Sequence, residues 1–175
     1  MSTKERGLVM VYTGNGKGKT TAAVGQALRA IGHGYRVYMI HFMKGRDYGE
    51  FLAAGRLPNL TVVRAGRDVF VNRENPEPVD IELARDGFER AKKAVCSGEY
   101  DLVVLDEIIV AVDYGLISEK ELFELLEQKP PRVDLVLTGR GASPELVKRA
   151  DMVSEILAIK HHYDAGVDGR KGIEY

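Results

Sequence analysis

The segment Gly14-Asn15-Gly16-Lys17-Gly18-Lys19-Thr20-Thr21 follows directly on the apolar run Leu8-Val9-Met10-Val11-Tyr12, and this pairing constrains the fold more than any other feature of the chain. The apolar run reads as a buried strand and residues 22–30 as a helix, so the glycine-rich stretch is the turn between them. Such a turn aims backbone N–H groups and the positive end of a helix at one point, which makes a cradle for phosphate. Lys19 is expected to reach terminal phosphates and the Thr20 hydroxyl to ligate a magnesium ion, with Gly14, Asn15, Gly16, Lys17, Gly18 and Thr21 completing the nucleotide contacts. The usual spacing places a glycine at position 13, where this chain has Thr13; Gly14 and Gly16 supply the backbone freedom instead.

At 175 residues the chain is long enough for one α/β domain, taken as residues 1–175. The balance of 25 basic and 26 acidic residues, a net charge of −1, leaves no electrostatic footprint for nucleic acid or an anionic membrane. The single cysteine, Cys96, excludes an internal disulfide, and no Cys/His spacing suits zinc. The first six residues are polar, unlike a secretory leader, and no apolar stretch approaches the roughly 18 residues that span a bilayer. A cytoplasmic protein is the expectation.

Strand and helix patterns alternate along the chain. Strands are expected at 36–42, 60–63, 102–105, 132–138 and 153–159. Helices are expected at 79–97, at 117–128 with Ser118 and Glu121 spaced as a capping box, and after Ser143-Pro144. Residues 43–58 read as irregular and 65–79 as a long loop. Alternation of this kind predicts a mainly parallel sheet with both faces covered, and ligands in such sheets bind beyond the carboxyl ends of the strands.

Three further groups fall at that edge. Leu102-Val103-Val104-Leu105 delivers Asp106-Glu107, acids suited to magnesium or manganese; the pattern does not say which one touches the metal. Thr138-Gly139-Arg140 offers a guanidinium for phosphate. Lys44 and Arg46 follow the second strand and are placed to reach the same ligand. In the tail, His161 and His162 are adjacent, and on a strand their side chains diverge, which argues against a histidine metal site. The aromatic and charged mixture of the tail points to a segment folded over a site. With only His33, His41, His161 and His162 available, no base is legible, which fits a reaction whose cosubstrate is itself the nucleophile.

Taken in order, the loop at 14–23, Arg29-Ala30-Ile31-Gly32-His33-Gly34, Phe42-Met43-Lys44-Gly45, Val103-Val104-Leu105-Asp106-Glu107, Thr138-Gly139-Arg140-Gly141, Val153-Ser154-Glu155 and the ending from Lys160 to Tyr175 resemble the phosphate-loop ATP:corrinoid adenosyltransferases over nearly the whole chain. The resemblance implies a three-layer RecA-like α/β fold. It also implies transfer of the 5′-deoxyadenosyl group of ATP to cobalt(I) of a corrinoid, with magnesium or manganese as cofactor. Lys19 and Arg140 would be catalytic, and Lys160 and His161 would be further ligand contacts. Implied partners are a reduced flavoprotein electron donor and a second copy of the chain. Relatives cover the lower face of the corrinoid with aromatics in the loop after the third strand; here that loop has Phe70, with Val69 standing in for a second aromatic. Only residues 1–7 precede the first strand, so a shorter lid is expected. Two other readings compete: a phosphate-loop kinase or ATPase, and a nucleotide-dependent corrinoid carrier without turnover.

Overall fold

The computed structural model describes residues 6–175; most of the polar start read above lies outside the described residues. The strands are β1 (Val9–Thr13), β2 (Val37–Phe42), β3 (Leu60–Ala65), β4 (Leu102–Asp106), β5 (Asp134–Thr138) and β6 (Met152–Glu155). They form one sheet in the order β3-β2-β4-β5-β1-β6, with every neighbouring pair parallel. The helices are α1 (Lys19–Gly32), α2 (Gly49–Ala54), α3 (Pro78–Cys96), α4 (Ile108–Asp113), α5 (Glu119–Gln128) and α6 (Pro144–Arg149). This is an α/β fold consistent with the RecA-like phosphate-loop class. Parallel pairing forces each connection to cross over the sheet, which is why the strands are separated by helices.

The central strands are apolar on both sides because both faces are covered. On one face Met10, Val37, Met39, Leu102, Val104 and Val136 pack against Ala23, Ala27 and Ala30 of α1, small residues that let this helix lie close to the sheet. On the other face Val11, Ile40, Phe42, Val103, Leu105, Leu135 and Leu137 meet α3, α4 and α5. Phe42 and Phe88 are among the largest fully buried side chains, and truncating either to alanine costs about 3–5 kcal/mol.

The strict alternation of side chains has one consequence for the site. In β2, β4 and β5 the residues two steps beyond Met39, Val104 and Val136 are His41, Asp106 and Thr138. All three therefore emerge on the α1 face at the carboxyl edge of adjacent strands, and His41 pairs directly with Asp106 in register.

The strands arise where the apolar runs place them, with small shifts. The helix after the phosphate loop starts at Lys19 rather than residue 22. The last strand stops at Glu155 instead of running to residue 159. Beyond it Ile156 turns back over the phosphate loop, its N–H donating to Thr13 O (2.9 Å) and its carbonyl accepting from Gly16 N (2.7 Å). The irregular stretch 43–58 contains α2, and α4 follows β4 immediately. Ser118 caps α5 with the full reciprocal box to Glu121.

Candidate functional site

The loop at 14–18 curls over the carboxyl end of β1. Gly14 sits at φ +94°, and a Cβ there would lie 2.5 Å from the Ile156 carbonyl, so only glycine lets the loop pass beneath residue 156. Thr13 takes up the departure from the usual spacing: its buried hydroxyl accepts from Ala142 N at 3.3 Å. That contact ties the phosphate loop to the turn carrying Arg140. Gly139 in this turn has φ +145°, and a Cβ would stand 2.7 Å from Ile109 Cβ, so the turn is pressed against α4.

A cavity of about 510 Å³ opens above the loop. Asn15, Gly16, Lys17, Gly18, Lys19, Thr20 and Thr21 form its floor, and Lys44, Glu107, Arg140 and His161 stand at its sides. Gly14, Asp106 and Lys160 are outside this lining. Lys19 is buried and curled into its own loop, its Nζ donating to Gly16 O at 2.7 Å. Burial, with Arg140 and Lys44 nearby, holds the Lys19 ammonium below the usual lysine range despite Glu107 and Asp106.

Asp106 is the hub behind the cavity. Its Oδ1 accepts from the Thr20 hydroxyl (2.9 Å) and the Thr138 hydroxyl (2.6 Å), and its Oδ2 faces Lys44 Nζ (2.7 Å) and His41 Nδ1 (2.8 Å). Both oxygens are therefore already engaged. Burial alone would raise this carboxyl, but Lys44 and His41 outweigh it and hold it far below the ordinary carboxylate range. His41 is fully buried, and its Nε2 has no hydrogen-bond partner; Glu50 Oε1 lies 3.9 Å away.

Glu107 stands differently. Its backbone takes φ +61°, an uncommon conformation for a residue with a side chain, and its N–H donates to Thr138 Oγ1 at 2.9 Å. This twist breaks the strand and turns the carboxyl toward the cavity that it lines. Burial, then the Asp106 charge, raises its carboxyl above the usual range against Lys44, Lys19 and Arg140. Met43, the other non-glycine residue with positive φ among the described residues (φ +58°), ends β2 in the same way and aims Lys44 inward.

Thr20 and Glu107 thus present a hydroxyl and a carboxylate, hard oxygen donors that fit magnesium or manganese, with Asp106 behind them orienting Thr20. Among the described residues no three His, Cys, Asp or Glu side chains form a metal cluster by themselves, so further ligands would come from phosphate and water.

A second cavity of about 140 Å³ adjoins the first and shares Lys44 and Tyr48 with it. Val69 and Phe70 line this second space, and Phe70 is fully exposed. The loop that carries them is anchored by Arg67, which forms a two-pronged pair with buried Asp80 (2.8 and 2.7 Å). Arg46 pairs with Asp68 instead of facing the first cavity.

The tail wraps the outer wall. Lys17 Nζ donates to Ile173 O (3.1 Å), and Gly172, Ile173, Glu174 and Tyr175 border the first cavity. His161 and His162 are not on a strand: a short 3-10 turn, His162–Ala165, begins there, and their rings stack 4.5 Å apart rather than diverging. Tyr48, Glu50 and His41 are site residues that no sequence signal marks. Tyr48 and Glu50 belong to a six-residue helix and its cap, too short to show a period, and His41 is recognisable only once β2 and β4 are known to pair.

The family model for ATP:corrinoid adenosyltransferase BtuR/CobO/CobP matches residues 5–175. A corrinoid adenosyltransferase of Escherichia coli (strain K12) is 38% identical over 98% of this chain and 87% of its own length. One of Salmonella typhimurium (strain LT2) is 36% identical over 98% and 87%, and one of Pseudomonas aeruginosa is 33% identical over 98% and 85%.

Proposed function

This chain belongs to the ATP:corrinoid adenosyltransferase family, and on that footing we propose that it transfers the 5′-deoxyadenosyl group of ATP to cobalt(I) of a corrinoid and releases inorganic triphosphate. The observation that carries this reading is the junction of two cavities: a phosphate cradle on one side, an apolar-tipped space with Val69 and Phe70 on the other, joined at Lys44 and Tyr48. A kinase or ATPase needs the first cavity alone.

In the proposed reaction the cobalt(I) lone pair attacks C5′ of ATP. The cobalt–carbon bond forms as the C5′–O bond breaks, and the electron pair of that bond leaves with the triphosphate. Cobalt(I) is the nucleophile, so no protein base is required. The protein's work is to hold both reactants in line and to receive the negative charge of the departing triphosphate. Lys19, the amides of residues 15–18 and Arg140 are assigned to that charge. Thr20 and Glu107 would hold the magnesium or manganese ion, which when bound adds further charge neutralisation at the triphosphate. Asp106 fixes the Thr20 hydroxyl through its 2.9 Å hydrogen bond. Val69 and Phe70 are assigned to the lower face of the corrinoid, and the tail to keeping water from the reduced metal.

The reading also includes a reduced flavoprotein as electron donor, a homodimer and a cytoplasmic setting. No helix among the described residues is long and apolar enough to cross a membrane. The exposed edge strand β6, followed by exposed Leu157 and Ile159, supports self-association. The test is the phosphorus product. With Mg-ATP and chemically reduced cobalamin under anaerobic conditions, phosphorus NMR should show triphosphate; ADP with phosphate would replace this reading with an ATPase or kinase.

A further inference from the structure

Lys44 sits where two site residues converge. Its Nζ lies 3.1 Å from Thr20 Oγ1 and 2.7 Å from Asp106 Oδ2, and it stands 5.2 Å over the Tyr48 ring. The only proton of the Thr20 hydroxyl is given to Asp106 Oδ1 at 2.9 Å, so the Lys44 ammonium is held by a lone pair of that hydroxyl. That lone pair is also what a threonine at this position would give to a divalent metal. A metal ion held by that oxygen would lie within a few ångström of the ammonium, beside the buried Asp106. Two cations so close repel each other, most strongly where the site is only partly exposed.

We propose that Lys44 is a tethered cation that holds the place of the divalent metal until nucleotide arrives. The ammonium and the metal compete for Thr20 and for the charge of Asp106. Without nucleotide the site neutralises itself through Lys44 and has little affinity for a metal. The phosphates of ATP change this balance, because they ligate the metal and give the displaced ammonium a new anionic partner. Lys44 can leave without crossing the core, since it lines both cavities and its side chain retains 15% exposure. The positive φ of Met43 directs the lysine into this position, so the arrangement is built into the end of β2. Metal and nucleotide then bind with positive coupling, and Lys44 is the residue through which they are linked.

This inference rests on the nucleotide half of the proposed function and on nothing about the corrinoid. The experiment is a titration of nucleotide-free protein with Mn2+, read by electron paramagnetic resonance of the free ion. Lys44→Met keeps the length of the side chain and removes its charge; it should bind Mn2+ about tenfold or more tightly than the wild type. Lys44→Arg keeps a cation and should stay as weak as the wild type. If Lys44→Met does not fold, Lys44→Gln carries the same expectation. Mn2+ affinity in the neutral variant equal to or below that of the wild type overturns the proposal. No corrinoid is present in this titration, so that outcome is separate from a failure to form an adenosylated corrinoid.

Discussion

Replacing Asp106 with asparagine tests the hub of the site, because the two residues have the same shape and differ in charge. Asparagine Oδ1 can still accept from the Thr20 and Thr138 hydroxyls, but its amide then faces Lys44 and His41, both donors to Oδ2 in the native protein. His41 can adapt by moving its proton to Nε2, which faces Glu50 at 3.9 Å. Lys44 cannot adapt in that way. It keeps its bond to Thr20, the face of Tyr48 and the nearby charge of Glu107, in a position where its side chain is 15% exposed. Breaking a buried pair by removing one partner costs about 3–5 kcal/mol, and the residual exposure of Lys44 places this case near 3 kcal/mol. For a domain of this size each kcal/mol shifts the midpoint by about 2–4 °C, so Asp106→Asn should melt about 6–12 °C below the wild type. Thermal unfolding followed by circular dichroism at neutral pH, without nucleotide or metal, measures this. The double variant Asp106→Asn/Lys44→Met removes the orphaned charge and should regain at least half of the loss. A midpoint within about 2 °C of the wild type, or a double variant as unstable as the sum of the singles, would refute the reasoning.

Lys19→Ala should lower the rate of adenosyl transfer more than tenfold, a loss of at least about 2 kcal/mol of transition-state stabilisation; steady-state turnover that is unchanged would remove Lys19 from its assigned role. Glu107→Gln should raise the Mg2+ concentration for half-maximal activity about 10–100-fold, and an unaltered metal requirement would shift the ligand role to another residue. For the loop that carries Phe70, hydrogen bonds from Arg67 hold the Asp80 carboxyl below its ordinary value of 3.8 against the opposing effect of burial. A depressed folded value means that the pair stabilises the protein above the unfolded value and that this is lost as pH falls through the folded one. Arg67→Ala should therefore flatten the fall of melting temperature below about pH 4; an acid limb parallel to that of the wild type counts against the pair.

The strands and the phosphate loop were legible because each rests on a local signal. Four-to-six-residue apolar runs end in polar residues, and the loop has its lysine and threonine at fixed spacing from a strand. The two elements that escaped were short and ambiguous for physical reasons. Ile108-Ile109-Val110-Ala111-Val112 is rich in β-branched residues and prolongs the apolar run of β4, yet it is helical, because the positive φ of Glu107 ends the strand. Gly49-Glu50-Phe51-Leu52-Ala53-Ala54 buries no side chain fully, so no apolar stripe marks it. The choice between Asp106 and Glu107 was beyond the sequence for a similar reason. Adjacent acids differ only once the strand's alternation sends Asp106 into contact with His41, Thr138, Lys44 and Thr20 and the turn carries Glu107 to the cavity. The last strand is shorter than its apolar pattern suggests, because the chain leaves the sheet at Glu155 to cover the phosphate loop; the histidine pair beyond it opens a 3-10 turn, and there the two rings stack.

The proposed reaction turns on which bond of ATP breaks, and a carbon label follows that bond directly. ATP carrying carbon-13 at C5′ is incubated anaerobically with the protein, Mg2+ and chemically reduced cobalamin. The label should enter the corrinoid product as a carbon bound to cobalt, in equal amount to the triphosphate released, and light should detach it. Label recovered only in ADP or AMP, with no labelled corrinoid, would contradict the proposed reaction.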